Sequence, residues 1–216
     1  MASKEDKAAT RTELKSALKQ RSPEELAEQS SAICSAVLQM PTYKAASTLV
    51  AYLSAARLRE VDTGAVIEDA LARGVKVYVP VVDDSDSNMR MLHLDSLEGV
   101  TAAPPFGIRE PVPTYADGSA RSELFAVGDI PEVVLLPGLG FDRCCRRLGR
   151  GGGYYDKFLG RLADVANEKA VTRPKLIGLS FLEQVVEKVP VDEHDRLCDM
   201  VVTPTESFVR DGPVSA

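Results

Sequence analysis

The chain has 216 residues, 44% of them hydrophobic, which is enough to bury one sizeable core, and nothing in it demands a second domain. Its formal net charge of −6 argues against general nucleic-acid binding, which requires a basic face. No apolar run is long enough to span a membrane, and residues 1–10 resemble neither a secretory signal nor a transit peptide. We therefore expect a cytoplasmic protein that binds neither membrane nor nucleic acid, with a mitochondrial copy as the alternative.

Two helices are predicted in the N-terminal helical segment, residues 1–40. The first has a narrow apolar stripe, formed by Leu14, Ala17 and Leu18. The second has a strong start signal, because Ser22 and Glu25 can form a capping box with Pro23 in the first turn. Its apolar residues recur at helical spacing, and Pro41 lies beyond its end.

Alternating strands and helices follow. Residues 47–53 are β-prone, residues 61–72 are predicted to be a helix capped by Asp62, and residues 75–82 form a strand interrupted by Pro80. Such spacing implies a right-handed crossover and a parallel sheet. Later strands are predicted at 133–136, 176–180 and 200–203, with a helix after the glycine-rich run. We therefore predict an α/β fold over residues 1–216: a single three-layer, Rossmann-like catalytic domain with a mostly parallel sheet flanked by helices.

Residues 95–130 are predicted to be an irregular loop region. Prolines and glycines between Gly99 and Asp129 argue against any regular element there. A structureless stretch of this length is either functional or disordered. Because Phe106 and Ile108 are too apolar for a plain linker, we favour a lid or a ligand wall.

A ligand-binding site is indicated by the run from Arg147 to Asp156, which reads Arg-Leu-Gly-Arg-Gly-Gly-Gly-Tyr-Tyr-Asp. Backbone amides without side chains, beside guanidinium groups, suit the oxygens of a phosphate. A carboxylate at the start of the following helix suits a divalent metal bound to the same phosphates. The run therefore predicts a site for a nucleotide polyphosphate.

Plainer interpretations remain open for the same residues. The run lacks the Lys-Ser/Thr pair of a P-loop and lies too late for a Rossmann fingerprint, so it could be only a tight turn before a helix. Asp156 could simply complement the helix dipole. Asp195 is a candidate second metal ligand, whereas His194 is predicted to be a surface residue. Cys144 and Cys145 are interpreted as reduced, buried structural thiols rather than nucleophiles.

The runs 136–142 and 147–156 resemble the signature of the 5-formyltetrahydrofolate cyclo-ligases, also called 5,10-methenyltetrahydrofolate synthetases. Other stretches are similar to that family in the same order: Lys7 with Arg11, and residues 52–54, 60–63, 107–111 and 190–195. The chain departs from the family pattern in three places. It is slightly longer between Ser54 and Glu60, Cys145 stands where the signature usually has glycine, and Gly152 stands where some relatives place lysine.

The resemblance implies ATP- and Mg²⁺-dependent cyclisation of 5-formyltetrahydrofolate to 5,10-methenyltetrahydrofolate, with ADP and phosphate released. It implies that ATP is bound by Lys7, Arg11, Arg147, Gly149, Arg150, Gly151, Gly152, Gly153, Tyr154 and Tyr155. Arg147 and Arg150 would act in catalysis by holding the transferred phosphoryl group, and Asp156 and Asp195 would bind the metal. The folate would be bound by Leu53, Glu60, Phe106 and Tyr154. Glu60 would accept the adjacent N–H groups of the pterin.

Reduced folate and ATP are the only partners expected, and a monomer is predicted. Two other classes of function fit the residues without the resemblance. One is another α/β phosphotransferase or sugar-phosphate enzyme, which would have no use for a pterin-binding carboxylate at Glu60. The other is a non-catalytic nucleotide-binding module, which would bind ATP without turnover even when folates are supplied.

Overall fold

The computed structural model describes residues 3–84, 86–103, 108–192 and 195–210. Its helices are α1 (Lys4–Lys19), α2 (Pro23–Gln39), α3 (Pro41–Ala45), α4 (Gly64–Ala72) and α5 (Tyr154–Glu168). Its strands are β1 (Thr48–Val50), β2 (Lys76–Val82), β3 (Met89–Leu94), β4 (Thr101–Ala103), β5 (Ile108–Glu110), β6 (Val133–Leu136), β7 (Gly140–Phe141), β8 (Arg147–Leu148), β9 (Lys175–Leu179), β10 (Met200–Val202) and β11 (Ser207–Val209). Short 3₁₀ turns cover Ala56–Leu58 and Leu182–Gln184.

Seven strands form one sheet in the order β11-β10-β9-β6-β1-β2-β3. The strands from β10 to β2 are parallel to their neighbours, and the edge strands β11 and β3 are antiparallel. Successive strand residues face opposite sides, so Leu49 packs in the cluster with α1 to α4 and Val50 packs in the cluster with α5. The predicted three-layer α/β fold with a mostly parallel sheet is confirmed. None of the described helices is both long and apolar enough to cross a bilayer.

The helix starts agree with the sequence at α2 and differ at α4. The Ser22 hydroxyl accepts from the Glu25 amide at 3.1 Å, and the Glu25 carboxylate accepts from the Ser22 amide at 2.7 Å, which is the predicted capping box. The prediction that Asp62 caps the next helix is wrong. Its carboxylate accepts from the Gly64 amide at 3.1 Å, forming a turn ahead of α4, and the helix starts after Thr63.

Two expectations about proline need correction. Residues 99–129 contain the antiparallel pair β4–β5, whose three-residue strands are short enough to fit beside the prolines. Strand β2 continues through Pro80. The Tyr78 carbonyl accepts from Ala51 beside β1, so alternation places the Pro80 nitrogen on the same side, beyond the end of β1, where no hydrogen-bond donor is needed.

The residues that follow α4 and α5 give a matched test of backbone strain. Gly74 has φ +74° and Ala170 has φ +53°, and this left-handed conformation costs a non-glycine residue roughly 1 kcal/mol. We expect Ala170→Gly to raise the free energy of unfolding by about 0.5–1 kcal/mol. Gly74→Ala should lower it by a similar amount, because a Cβ there would meet no atom within 4 Å and only the backbone cost remains. Urea denaturation followed by circular dichroism measures both, and effects of the same sign would contradict this account.

Candidate active site

A cavity of about 310 Å³ lies at the carboxyl ends of three parallel strands. Leu53 follows β1, Val82 ends β2 and Gly138 follows β6, and all three residues line the cavity. From β1 the chain passes to β2 on one side and later returns to β6 on the other, so the strand order reverses here. Open parallel sheets bind their ligands at such a point.

The structure brings most of the predicted site residues to this one cavity. Those that line it are Arg11, Leu53, Glu60, Arg147, Gly149, Arg150, Gly151, Gly152, Gly153, Tyr154, Tyr155, Asp156 and Asp195. Lys7 reaches the same place through its ion pair with Asp195. Phe106 and His194 lie outside the described residues.

The glycine-rich loop, Gly149 to Gly153, leads directly into α5. Gly151 and Gly153 have φ values of +107° and +73°, which glycine adopts without steric cost. Across the described part of the chain, no group accepts a hydrogen bond from the amides of Gly151, Gly152 or Gly153. These three donors stand next to the positive end of the α5 dipole, so the loop is suited to an anion.

Helix α1 contacts two sides of the cavity through cationic side chains, the glycine-rich loop through Arg11 and the segment of Asp192 and Asp195 through Lys7. Arg11 Nε donates to the Gly149 carbonyl at 2.9 Å. Lys7 Nζ donates to Asp192 Oδ2 at 2.7 Å and to Asp195 Oδ2 at 2.5 Å. Burial alone would lower the pKa of Lys7, but the bonds and charges of the two aspartates outweigh it, so the pKa lies above its usual value. Lys7 is therefore a permanent cation at the edge of the site.

The two arginines of the run are each paired with an acid from the same cavity. Arg147, with a side chain 3% exposed, donates from Nη2 to Asp156 Oδ1 at 2.7 Å. Its Nε is buried and has no partner within the described residues. Arg150 donates from Nε to Glu60 Oε1 at 3.3 Å and from Nη2 to the Leu58 carbonyl. Positive charge and hydrogen-bond donors thus converge where the loop amides are available.

Glu60 is a nearly buried acid between the loop and an apolar wall. Its side chain is 10% exposed, and Oε2 accepts from the Ala55 amide at 3.2 Å. Burial raises the pKa of Glu60, although the charge of Arg150 and the Ala55 bond act in the opposite direction. A carboxylate kept this dry beside a cavity is suited to a ligand with N–H donors.

The metal prediction concerns two carboxylates that face the same cavity. In the described ranges no group of three or more His, Cys, Asp or Glu side chains is placed to hold a metal ion unaided. Asp156 and Asp195 both line the cavity, and each is held by a cationic side chain, Arg147 or Lys7. Mg²⁺ is usually held by one or two carboxylates together with phosphate oxygens and water, so this pair fits such an ion.

The sequence-based prediction missed most of the apolar wall of the cavity, and only Ile108 comes from the stretch that it favoured as a lid or ligand wall. The members of the apolar wall are Tyr52, Leu58, Pro80, Val82, Met89 and Ile108. Val82 and Met89 are opposite each other across the β2–β3 pair, and Pro80 and Val82 share one face of β2. Period-two alternation around Pro80 was the available signal, but only the tertiary fold shows which face meets the cavity.

Cys145 lies outside the cavity, at the position where the family signature usually has glycine. It has φ +60°, so the position does adopt the conformation that glycine favours. Its side chain is fully buried, and burial raises the pKa of the Cys145 thiol to about 11. Cys145 is therefore an unreactive structural thiol, as expected, whereas Cys144 is exposed and that part of the prediction is wrong.

The chain is similar to proteins of one known family over nearly its whole length. The model of the 5-formyltetrahydrofolate cyclo-ligase family matches residues 3–204. A protein of Arabidopsis thaliana named as mitochondrial 5-formyltetrahydrofolate cyclo-ligase is 40% identical over 92% of this chain and 74% of its own length. A mouse protein named as 5-formyltetrahydrofolate cyclo-ligase is 33% identical over 91% of this chain and 92% of its own.

A solved structure supports the fold independently. The 5,10-methenyltetrahydrofolate synthetase of Aquifex aeolicus superposes with a TM-score of 0.72 at 24% identity, covering 97% of this chain and 95% of that one. The fold, the match of the family model over nearly the whole chain and the identity to the Arabidopsis and mouse proteins lead to one conclusion. The chain belongs to the 5-formyltetrahydrofolate cyclo-ligase family.

Proposed function

We propose that this protein catalyses the ATP- and Mg²⁺-dependent cyclisation of 5-formyltetrahydrofolate to 5,10-methenyltetrahydrofolate, releasing ADP and phosphate. The observation that carries the proposal is a single cavity that joins two kinds of subsite. One combines loop amides that have no acceptor among the described residues with Arg147 and Arg150. The other combines the buried acid Glu60 with an apolar wall. The names of the relatives supply the substrate class.

The phosphate subsite is built to move a phosphoryl group. The formyl oxygen attacks the γ-phosphorus of ATP, the bond to the β–γ bridging oxygen breaks, and ADP leaves. Arg147, Arg150 and the amides of Gly151 to Gly153 hold the transferred group in line and balance its charge. Lys7 and Arg11 hold the rest of the triphosphate from α1.

The second half of the reaction closes the ring. Nitrogen N10 attacks the activated formyl carbon and loses its proton, and phosphate then departs with the electrons of the C–O bond. An amide oxygen is a poor leaving group, and phosphorylation removes that obstacle. The protein's contribution is to keep N10 and the formyl carbon at reacting distance in a site that excludes water.

The folate subsite orients the pterin. Glu60 accepts two adjacent N–H donors of the pterin ring, as a carboxylate does from a guanidinium. Leu53, Tyr154 and the apolar wall contact its faces. Phe106 remains a prediction for the same subsite.

The metal subsite consists of Asp156 and Asp195. These two carboxylates would hold the ion, directly or through water, and a bound ion would neutralise charge on the triphosphate. Arg147 and Lys7 orient these carboxylates in the structure described here.

The buried carboxylate favours this function over a general phosphotransferase, and turnover distinguishes it from a non-catalytic module. Another phosphotransferase or sugar-phosphate enzyme would have no use for a pterin-binding carboxylate at Glu60, which is costly to keep almost fully buried. A non-catalytic module would bind ATP without turnover even when folates are supplied. A monomer and a cytoplasmic location remain predictions.

The assay is the appearance of the methenyl product, which absorbs in the near ultraviolet, from 5-formyltetrahydrofolate, ATP and Mg²⁺. We expect turnover only when all three are present, and loss of activity when a chelator removes the metal. ATP binding without turnover would contradict the proposal in favour of a binding module. Full activity in the chelator would remove Asp156 and Asp195 from the metal subsite.

A further inference from the structure

The turn between β2 and β3 lies against the glycine-rich loop and belongs to none of the motifs discussed above. Ser87 Oγ donates to the Gly152 carbonyl. The Tyr154 hydroxyl donates to the Asp84 carbonyl at 2.8 Å. Lys157 Nζ, from the first turns of α5, donates to Asn88 Oδ1. The turn therefore braces the loop and the start of α5 from the side.

The turn holds its own shape through Asp84. The Asp84 carboxylate accepts from the amide of Asp86 at 2.8 Å, from the amide of Asn88 at 3.2 Å and from the side-chain amide of Asn88 at 2.6 Å. Ser87 lies between these anchors with φ +64°, a conformation that a non-glycine residue adopts at a cost. A strained residue held by its surroundings and placed beside a ligand cavity points to a functional contact.

The geometry of the peptide bond shows what the Ser87 contact does. In a trans peptide the carbonyl of one residue and the N–H of the next point in opposite directions. Fixing the Gly152 carbonyl toward Ser87 therefore turns the Gly153 N–H away from Ser87. Gly152 and Gly153 line the cavity and Ser87 does not, so that N–H is turned to the cavity side. Arg11 sets another peptide plane of the loop in the same way, by holding the Gly149 carbonyl.

We propose that Ser87 is a positioning residue of the ATP site, which holds the Gly152–Gly153 peptide so that the Gly153 amide donates to a phosphate oxygen. The proposal deepens the function proposed above and rests on it for the identity of the anion. Ser87 itself touches no substrate. It acts through the loop, and its loss should affect ATP and not the folate.

The test compares Ser87→Ala with Ser87→Gly. Both substitutions remove the hydroxyl and its hydrogen bond to Gly152, but only glycine also relieves the strain of the left-handed backbone conformation. The comparison therefore separates the effect of the lost hydrogen bond from the effect of the backbone strain. Binding of the non-hydrolysable imido analogue of ATP is measured by calorimetry, and the KM of each substrate is measured in the cyclisation assay. Ser119→Ala is the matched control, because Ser119 also bonds within a turn, to Asp117 at 2.6 Å, but does not line the cavity.

We expect both Ser87 variants to weaken analogue binding and to raise the KM of ATP by a similar factor, roughly three- to tenfold. The KM of the folate should not change, and Ser87→Gly should denature at no lower a temperature than the wild type. Wild-type ATP affinity in either variant, or an equal rise in both KM values, would overturn the proposal.

The two proposals fail in different ways. If the wild type binds the analogue but does not cyclise the folate, the proposed function falls, while the binding arm still decides the role of Ser87. If the wild type does not bind the analogue, the loop is not a triphosphate site and the role of Ser87 falls with it.

Discussion

Replacing Arg150 with alanine should lower kcat by about 10²- to 10³-fold, with a smaller change in the KM of either substrate. Arg150 lines the same cavity as the loop glycines, and in the proposed reaction its charge is needed most while the phosphoryl group is in transfer. Removing it should therefore raise the barrier more than it weakens ground-state binding. Single-turnover measurement of methenyl product formation separates the chemical step from product release.

Two further variants sharpen this test. Arg150→Lys keeps the charge but loses the planar fork, so its kcat should fall between those of the wild type and the alanine variant. Arg21→Ala is a control of the same chemistry, since Arg21 forms ion pairs with Glu25 and Glu183 and does not line the cavity. If Arg150→Ala keeps kcat within about threefold of the wild type, Arg150 does not act on the transferred group.

The fold was predictable where strands are buried and helices carry caps. Residues 133–136 are apolar throughout and form β6, and Ser22 with Glu25 forms the predicted capping box. The edge strands β3 and β11 were missed, because an edge strand is defined by a partner that local sequence does not identify. The pair β7–β8 was missed since two-residue strands are too short to show a period.

The part of the site that lies within a single sequence motif was predictable. Neighbours in sequence such as Gly149 to Gly153 line the cavity together. The contacts between Arg150 and Glu60, and between Ser87 and Gly152, join residues 90 and 65 positions apart in sequence. Tertiary packing creates these contacts, so residue types and spacing alone do not reveal them.

Replacing Glu60 with glutamine should weaken folate binding by about 10- to 100-fold, the usual size for loss of hydrogen bonds to a charged group. Glutamine has nearly the same shape, but its amide NH₂ would face one of the two pterin donors. The folate KM and the binding constant of 5-formyltetrahydrofolate measure the effect. Glu206→Gln is the control, because Glu206 pairs with Arg143 and does not line the cavity. An unchanged folate constant would contradict the pterin role.

The pH dependence of folate binding tests the same group. Only the ionised carboxylate can accept both pterin donors, and burial raises the pKa of Glu60 above its ordinary value of 4.5. Folate affinity of the wild type should therefore be complete above this raised pKa and should fall as the pH drops through it. In Glu60→Gln this step should be absent. A step of the same size in both proteins would assign the titration to another group.

The Glu60–Arg150 pair also predicts that the two substrates help each other to bind. Glu60 binds Arg150 at 3.3 Å when no ligand is present. In this pair, Glu60 occupies the guanidinium proposed to bind phosphate, and Arg150 occupies the carboxylate proposed to bind the pterin. A pterin that takes Glu60 releases Arg150 for phosphate, and a phosphate that takes Arg150 releases Glu60. Linkage requires the two effects to be equal, so the ATP analogue should bind more tightly when folate is present, and folate should bind more tightly when the analogue is present.

In Glu60→Gln the analogue alone should bind roughly two- to tenfold more tightly than in the wild type, because phosphate no longer competes with a charged group for Arg150. Unchanged affinity for the analogue would show that the pair does not couple the subsites, whatever Glu60 does for the pterin.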